Sequence, residues 1–414
     1  MGHSLHLLAI LHRQDLNPRD EMYVGSVAIV DNCGREDWPR LATYCRINLG
    51  KADTFASPCH IEKVCVISPG LVMPIKRLSV IVVNWNGLRF LGPCIGSLMN
   101  QTSPAHELIM VDNGSQDGSV DYVKRNFPSV KIVESGSNLG FAEGTNVGLR
   151  CATADHFLLL NNDTHVPPDF IEILTDVASV RSGIGSVGCR IVQEDGELRY
   201  GPLVSNIGFL VPLFMGGKHL FRNRIAALFG TEGFCMANCG AAVVYSRRAF
   251  EEAGGFDADF WSDWEDHDLG FRLWLAGYRN FYTTRTYVVH VGGGSFGRSL
   301  SKDRYVRIIR NMLFTYLKNY DSRDLATRFF FLLWVVLPVR QLLMIILYEL
   351  RRLLQGHAHE DTFASRQVYL ALPQAYISFF KGVRSVMRKR AQVQAQRKVS
   401  DSEIFRMTDR GWIV

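Results

Sequence analysis

The chain has 414 residues, 47% of them hydrophobic and 21% charged, with a formal net charge of +6. This supports a large buried core and excludes a disordered chain. Its nine cysteines are scattered, show no disulfide-type spacing and suit a reducing compartment. Basic residues crowd the last third, from Arg304 to Arg352 and again over 384–398. That distribution fits an anionic membrane surface or a phosphate-bearing substrate, not nucleic acid.

Residues 1–75 read as an N-terminal extension without a ligand motif. Their apolar run at 5–11 is too short to span a bilayer, and no Lys or Arg precedes it as a secretory signal requires. From Leu78 the pattern alternates. Strands are predicted at 79–83, 108–111, 130–133 and 156–160. Between them lie helical segments marked by Leu91, Ile95 and Leu98, by Val120 and Val123, and by the glycine-rich stretch 137–148. Such repetition implies parallel strands flanked by helices, with right-handed crossovers. Polar residues follow each strand: Asn84, Asp112, then Asn161, Asn162 and Asp163. They therefore converge on the carboxyl edge, where open α/β sheets collect ligands. Asp163 is a hard oxygen donor suited to Mg2+ or Mn2+, although an Asx turn capping a strand would also explain it. Further strands are expected at 186–192, 241–245 and 286–290, and a short helix at 247–254.

Residues 262–278 read as a helix capped by Ser262 with Glu265 three residues on, its core face formed by Leu269, Leu273 and Trp274. Four acids, Asp263, Glu265, Asp266 and Asp268, fall at its start. The helix dipole accounts for one or two of them, at roughly 0.3–1 kcal/mol each. Crowded carboxylates also raise one another's pKa, which suits a general base. The glycines of 136–148 lack dinucleotide spacing, and no Walker lysine is present. Two glycosylation-type sequons, at Asn113 and Asn162, fall on the ligand loops, where a glycan would obstruct them; this favours the cytoplasm.

Five segments carry a resemblance: LSVIVVNWNG (78–87), IMVDNGSQDGS (109–119), NLGFAEGTNVG (138–148), LLLNNDTHVPP (158–168) and WEDHDL (264–269). In order and separation they resemble the family 2 inverting glycosyltransferases, most of all the bacterial rhamnosyltransferases, over roughly 76–300. The resemblance implies a GT-A fold, a Rossmann-like mixed sheet flanked by helices, with a nucleotide-sugar donor and a divalent metal. It assigns Asn84 and Asp112 to the nucleoside pocket, with Asn138, Gly140 and Asn146 flanking base and ribose. Asn161, Asn162 and Asp163 stand at the family's Asp-x-Asp motif, with Asn161 in place of the first acid and Asp163 left as the metal carboxylate. Asp266 matches the catalytic base, beside Glu265 and Asp268, and His290 stands where similar enzymes can have a second metal ligand. On local grounds alone His290 reads as a core or loop residue. The glycine loop at 292–295, with Arg298, could close over the diphosphate.

Residues 301–414 read as a helical, apolar and basic region. The run 329–348 is long enough to span a bilayer but contains Pro338 and Arg340. With the apolar stretch 368–380 and the basic tail, it is expected to lie in the membrane interface, against the alternatives of spanning or of covering the core. The resulting expectation is a sugar transferase, with rhamnose as the candidate sugar, acting on a glycan or lipid-linked acceptor at the cytoplasmic membrane face for cell-surface polysaccharide. The competing readings are a metal-dependent nucleotidyltransferase and a catalytically silent nucleotide-sugar-binding scaffold.

Overall fold

A computed structural model describes residues 75, 77–180, 182–193, 198–200, 232–291, 301–339, 341–343, 345–346 and 371–408, besides three short strands near the start. The backbone divides into two units, Met1–Ser68 and Pro69–Val414. In the first, β1 (His6–Ile10), β2 (Tyr23–Val30) and β3 (Tyr44–Ile47) form an antiparallel sheet. The rest of the 1–75 extension lies almost wholly outside the described residues, as do the glycine loop with Arg298 and most of 344–370.

In the second unit, β4 (Leu78–Asn84), β5 (Glu107–Asp112), β6 (Lys131–Glu134) and β7 (His156–Asn161) alternate with α1 (Leu88–Met99), α2 (Ser119–Asn126) and α3 (Gly140–Cys151). Then come β8 (Thr164–His165), α4 (Phe170–Ser179), β9 (Ile184–Val192), β10 (Leu198–Tyr200), β11 (Gly233–Cys235), β12 (Ala242–Ser246), α5 (Arg247–Glu252), α6 (Glu265–Leu275) and β13 (Arg279–His290). The last helices are α7 (Lys302–Asn319), α8 (Ser322–Leu343), α9 (Leu372–Ala395) and α10 (Asp401–Thr408).

Alternation along β4 sorts its side chains between two cores. Val80 and Val82 join Leu91 and Ile95 of α1 and Leu174 of α4. Ile81 joins Ala142 of α3 and Leu269 and Leu273 of α6 on the opposite face. Helices therefore cover both faces of the sheet, and strands buried on both sides read as continuous apolar runs.

The strand order is β11-β13-β9-β12-β7-β4-β5-β6, with β10 paired to β9 and β8 to β13. β4 is parallel to both β5 and β7, and β5 to β6. β12 runs antiparallel to both β7 and β9, and β13 is parallel to β9. The all-parallel pattern implied by strand–helix repetition thus holds for the first half. β12 and β11 make the sheet mixed, and the strand expected at 286–290 extends back to Arg279. The ends of β4, β5, β7, β9 and β13 still share one edge. A third core packs α7, α8 and α9 against α6, through Trp274, Leu313, Leu333 and Phe379 among others.

Candidate active site

Register levels the first group of polar residues. Asn84 pairs with Asp112 across β4 and β5, and Val83 with Asn161 across β4 and β7. The Asn84 amide donates to Asp112 Oδ1 at 3.4 Å and to Ser115 Oγ at 3.2 Å, while its oxygen accepts from Asn162 Nδ2 at 2.7 Å. Gly87 permits this: a Cβ there would lie 2.2 Å from Asn162 Nδ2. Asn138 Oδ1 accepts the Gly140 amide at 2.9 Å at the start of α3. Gly140 has φ +78°, and a Cβ on it would sit 2.6 Å from the Trp261 ring. Asn146 is committed elsewhere. Its amide donates to the Phe256 carbonyl at 2.9 Å and its oxygen accepts the Phe256 amide at 3.2 Å, tying α3 to the segment ahead of α6.

Asp163 and His290 meet. Beyond β7 the chain pairs β8 with the end of β13, aligning Thr164 with His290. Asp163 Oδ1 then lies 3.0 Å from His290 Nε2, with both side chains largely buried at 8% and 13% exposure. A carboxylate oxygen and an imidazole nitrogen converging at a strand edge form a donor pair able to hold a divalent cation.

The acids of α6 separate into different environments. Asp266 Oδ2 accepts the Gly240 amide at 3.0 Å, and Oδ1 accepts the His267 amide at 2.8 Å with the His267 ring Nδ1 at 2.9 Å. Gly240 leads into β12 beside the end of β7, since Asn161 donates to Ala241 O. Asp266 is therefore tethered to the same edge as Asn161, Asn162 and Asp163. Burial pushes its pKa up, but His267 and the two amides outweigh it and hold the carboxylate below its ordinary value. Glu265 is raised well above the usual range by burial and by the charges of Asp266 and Asp263. Asp268 leaves the site. Fully buried, it pairs with Arg272 at 2.8 Å and Lys318 at 3.0 Å, and accepts from Asn319 at 2.9 Å. The catalytic reading of Asp268 is corrected by this burial, because both its oxygens are spent joining α6 to α7.

Ser262 does not cap α6 either. The helix begins at Glu265 behind a turn in which Trp261, Asp263 and Trp264 all have left-handed φ, of 62°, 67° and 72°. Each such residue costs on the order of 1–3 kcal/mol and persists only when its surroundings fix it. Helix α7 does the fixing, and nothing in the sequence signals it. Arg304 and Arg307 pair with the two Asp263 oxygens at 2.8 and 3.1 Å. The Asn311 amide donates to the carbonyls of Phe260, Ser262 and Asp263 at 2.9, 3.0 and 2.6 Å. His267 was likewise missed; its ring stacks on Trp264 with centroids 4.2 Å apart.

A doubly covered mixed sheet with an Asn/Asp edge, a carboxylate–imidazole pair and an ionised aspartate is an arrangement suited to nucleotide-dependent group transfer. Residues 79–254 match the family described as Glycosyl transferase family 2. That stretch is a glycosyltransferase family 2 domain on a GT-A-like sheet, and the protein is a nucleotide-sugar-dependent glycosyltransferase. Over 244 residues it is 27% identical to N-acetylglucosaminyl-diphospho-decaprenol L-rhamnosyltransferase of Mycobacterium tuberculosis, covering 53% of this chain and 78% of the relative. It is also 27% identical over 222 residues to O-antigen biosynthesis protein RfbC of Myxococcus xanthus, covering 52% of this chain and 17% of that protein. Among solved structures it is similar to mannosyltransferase PcManGT of Pyrobaculum calidifontis in complex with GDP-Man and Mn2+. That similarity has a TM-score of 0.45 and 17% identity, covering 77% of this chain and 85% of the other.

Proposed function

We propose that this enzyme transfers rhamnose, with inversion, from a nucleoside-diphosphate donor to a hydroxyl of a lipid-linked acceptor in cell-surface polysaccharide synthesis. The mycobacterial relative's name supports the sugar and the diphosphate-lipid acceptor, and RfbC supports the polysaccharide context. The observation that carries the chemistry is Asp266, an ionised carboxylate tethered by the Gly240 and His267 amides at the edge that holds Asp163 and His290. Its oxygens retain lone pairs beyond the bonds they accept. Asp266 takes the proton of the acceptor hydroxyl, whose oxygen bonds to the anomeric carbon as the bond to the diphosphate oxygen breaks. The electron pair leaves with the nucleoside diphosphate, and one displacement inverts the centre. Asn84 and Asp112 bind the nucleoside. Asp163 and His290 would hold Mg2+ or Mn2+, which when bound offsets charge on the departing diphosphate.

The membrane face is part of the same proposal. From Phe329 to Val339, α8 is apolar on both its buried and its exposed sides. Leu332, Leu333, Val336 and Leu337 are buried, while Phe330, Phe331, Trp334, Val335, Val339, Leu342 and Leu343 are 42–59% exposed. By length and composition it could cross a bilayer, with 35% of its most apolar window buried. Lying in the interface suits it better, because one side already packs on α7 and α9. The basic tail serves two ends. Lys381, Arg384 and Arg388 are exposed, whereas Arg390 donates to the Leu317 and Tyr320 carbonyls and closes the end of α7.

The test is a screen of dTDP-, UDP- and GDP-sugars for raised melting temperature, followed by release of nucleoside diphosphate. A dTDP-rhamnose response that needs divalent metal, and that Asp163→Ala abolishes, is expected. Full activity in excess chelator would sink the metal assignment; a response only to another sugar nucleotide would sink the rhamnose assignment. For location, the full chain should pellet with vesicles of anionic lipid, and a chain found wholly in the soluble fraction would refute the interfacial reading.

A further inference from the structure

An open cavity of about 460 Å³ lies between the segment preceding α6, α7 and α9, lined by Trp261, Arg307, Arg310 and Ser378 among others. Trp261 joins it to the active site. Its backbone oxygen accepts the Ala142 amide at 3.0 Å, its ring fills the space over Gly140, and Arg307 lies 4.7 Å from the ring centre. The other wall reaches the apolar surface. Ser378 is flanked on α9 by Ile377 and Phe380, 56% and 53% exposed, and the neighbouring Tyr376 ring lies 6.4 Å from Trp334 of α8.

Arg310 stands out by its partners. Its Nε and Nη2 donate to Asn311 Oδ1 at 3.0 and 2.8 Å, and Nη2 donates to the Asp259 carbonyl at 2.9 Å. These acceptors are neutral, and among the described residues no carboxylate forms an ion pair with Arg310. The Asp259 carboxylate is taken by Lys389 at 2.6 Å and Ser385 at 3.0 Å. Asp303, also in the lining, is exposed. Burial and the nearby Arg307 pull the Arg310 pKa below its ordinary value, against the opposing pull of the Asp259 and Asp257 carboxylates.

We propose that this cavity seats the phosphate-bearing end of the lipid-linked acceptor, with Arg310 contacting the phosphate and the chain leaving over Ile377 and Phe380. Guanidinium geometry matches phosphate oxygens. The sugar next to the phosphate then rests against Trp261, the wall that the cavity shares with the start of α3. This inference rests on the acceptor class proposed above.

The experiment titrates the full chain in neutral detergent, with the donor edge saturated by nucleoside diphosphate and metal, using farnesyl diphosphate, farnesol and inorganic pyrophosphate. Farnesyl diphosphate should bind more tightly than either of the others. Arg310→Gln should weaken it about tenfold, some 1.4 kcal/mol, with Arg310→Lys recovering part of the loss. Ser378→Phe, which fills the cavity and leaves the arginine in place, should weaken it as well, and it keeps the test open if Arg310→Gln does not fold. Equal farnesyl diphosphate affinity in all these proteins overturns the proposal. Pyrophosphate binding as tightly as farnesyl diphosphate also overturns it, in favour of a free-phosphate site. Nucleotide titration of the same samples keeps the two readings apart, since failure there strikes the proposed function, whereas nucleotide binding without an Arg310 effect strikes this site alone.

Discussion

The carboxyl edge of the sheet and the helical layer behind α6 are both rich in acids, and they handle them in opposite ways. In the helical layer every buried acid among the described residues meets a cation. Asp257 pairs with Lys318 at 2.6 Å and also with Lys389, while Asp268 pairs with Lys318 and Arg272. Lys318 is only 2% exposed and Asp268 fully buried, so that pair is closed to solvent and to substrate. At the edge, Asp112 and Asp266 are held by amides, a hydroxyl-bearing loop and an imidazole, with no Lys or Arg partner among the described residues. Matched charges fix a fold, because separating them in a low-dielectric interior is costly. Charges held by neutral donors stay available for a ligand or a proton.

The sharpest way to break this comparison is to neutralise one acid from each region. General-base catalysis is worth about 10²–10⁴ in rate, so Asp266→Asn should lower kcat by that factor with donor affinity nearly unchanged. A kcat near wild type would remove Asp266 from the chemistry. In the layer, Asp268→Ala leaves Arg272 and Lys318 without a shared partner and should cost about 3–5 kcal/mol of stability in denaturant titration. The protein that remains folded should turn over at close to the wild-type rate; a selective loss of kcat would return Asp268 to the site. A smaller effect is expected where the two regions meet. Asn311→Ala removes an amide serving three carbonyls of the strained turn and should cost about 1–3 kcal/mol. Because that turn aims Asp266, kcat should fall more than the donor KM rises, whereas a purely structural role would spare both at a temperature where the variant is folded.

The smallest effect is a pH dependence. The raised Glu265 pKa means that the folded protein keeps this proton while the unfolded chain releases it. The stability contributed by Glu265 is complete below the ordinary glutamate range and is lost as pH rises towards the raised folded value. Glu265→Gln imitates the protonated form, so it should raise the melting temperature at neutral pH by more than it does at pH 4. A variant gain that is flat with pH would mean that Glu265 ionises normally in the fold.

Local pattern carried a long way into this molecule. The NWNG, VDNG and NND segments follow strands whose apolar runs are unmistakable, and parallel crossovers bring strand ends to one edge whatever the details of packing. Asn84, Asp112 and Asn162 were readable for that reason. Asn146 shows the limit. It lies in a segment placed beside the nucleotide by resemblance, and the structure commits its amide to Phe256, a residue distant in sequence. The three acids of α6 show another limit. Sequence placed all of them in the first turn, but neighbouring positions on a helix point about 100° apart, and only packing against β12 and α7 decides which face each one meets.

What the sequence determined by itself was the alternating half of the sheet, its ligand edge and the helical character of α6, because periodicity and strand-end chemistry are local. What the tertiary structure decided was which distant residues share a site. The insertion of β12 and β9 between β7 and β13, bridged by β8, brings His290 to Asp163 across 127 positions of chain. The clamp of Arg304, Arg307 and Asn311 holds a left-handed turn that Trp261, Asp263 and Trp264 would not adopt alone. Both depend on strand order and helix docking, which are settled by burying surfaces far apart in sequence and leave no periodic trace in the chain.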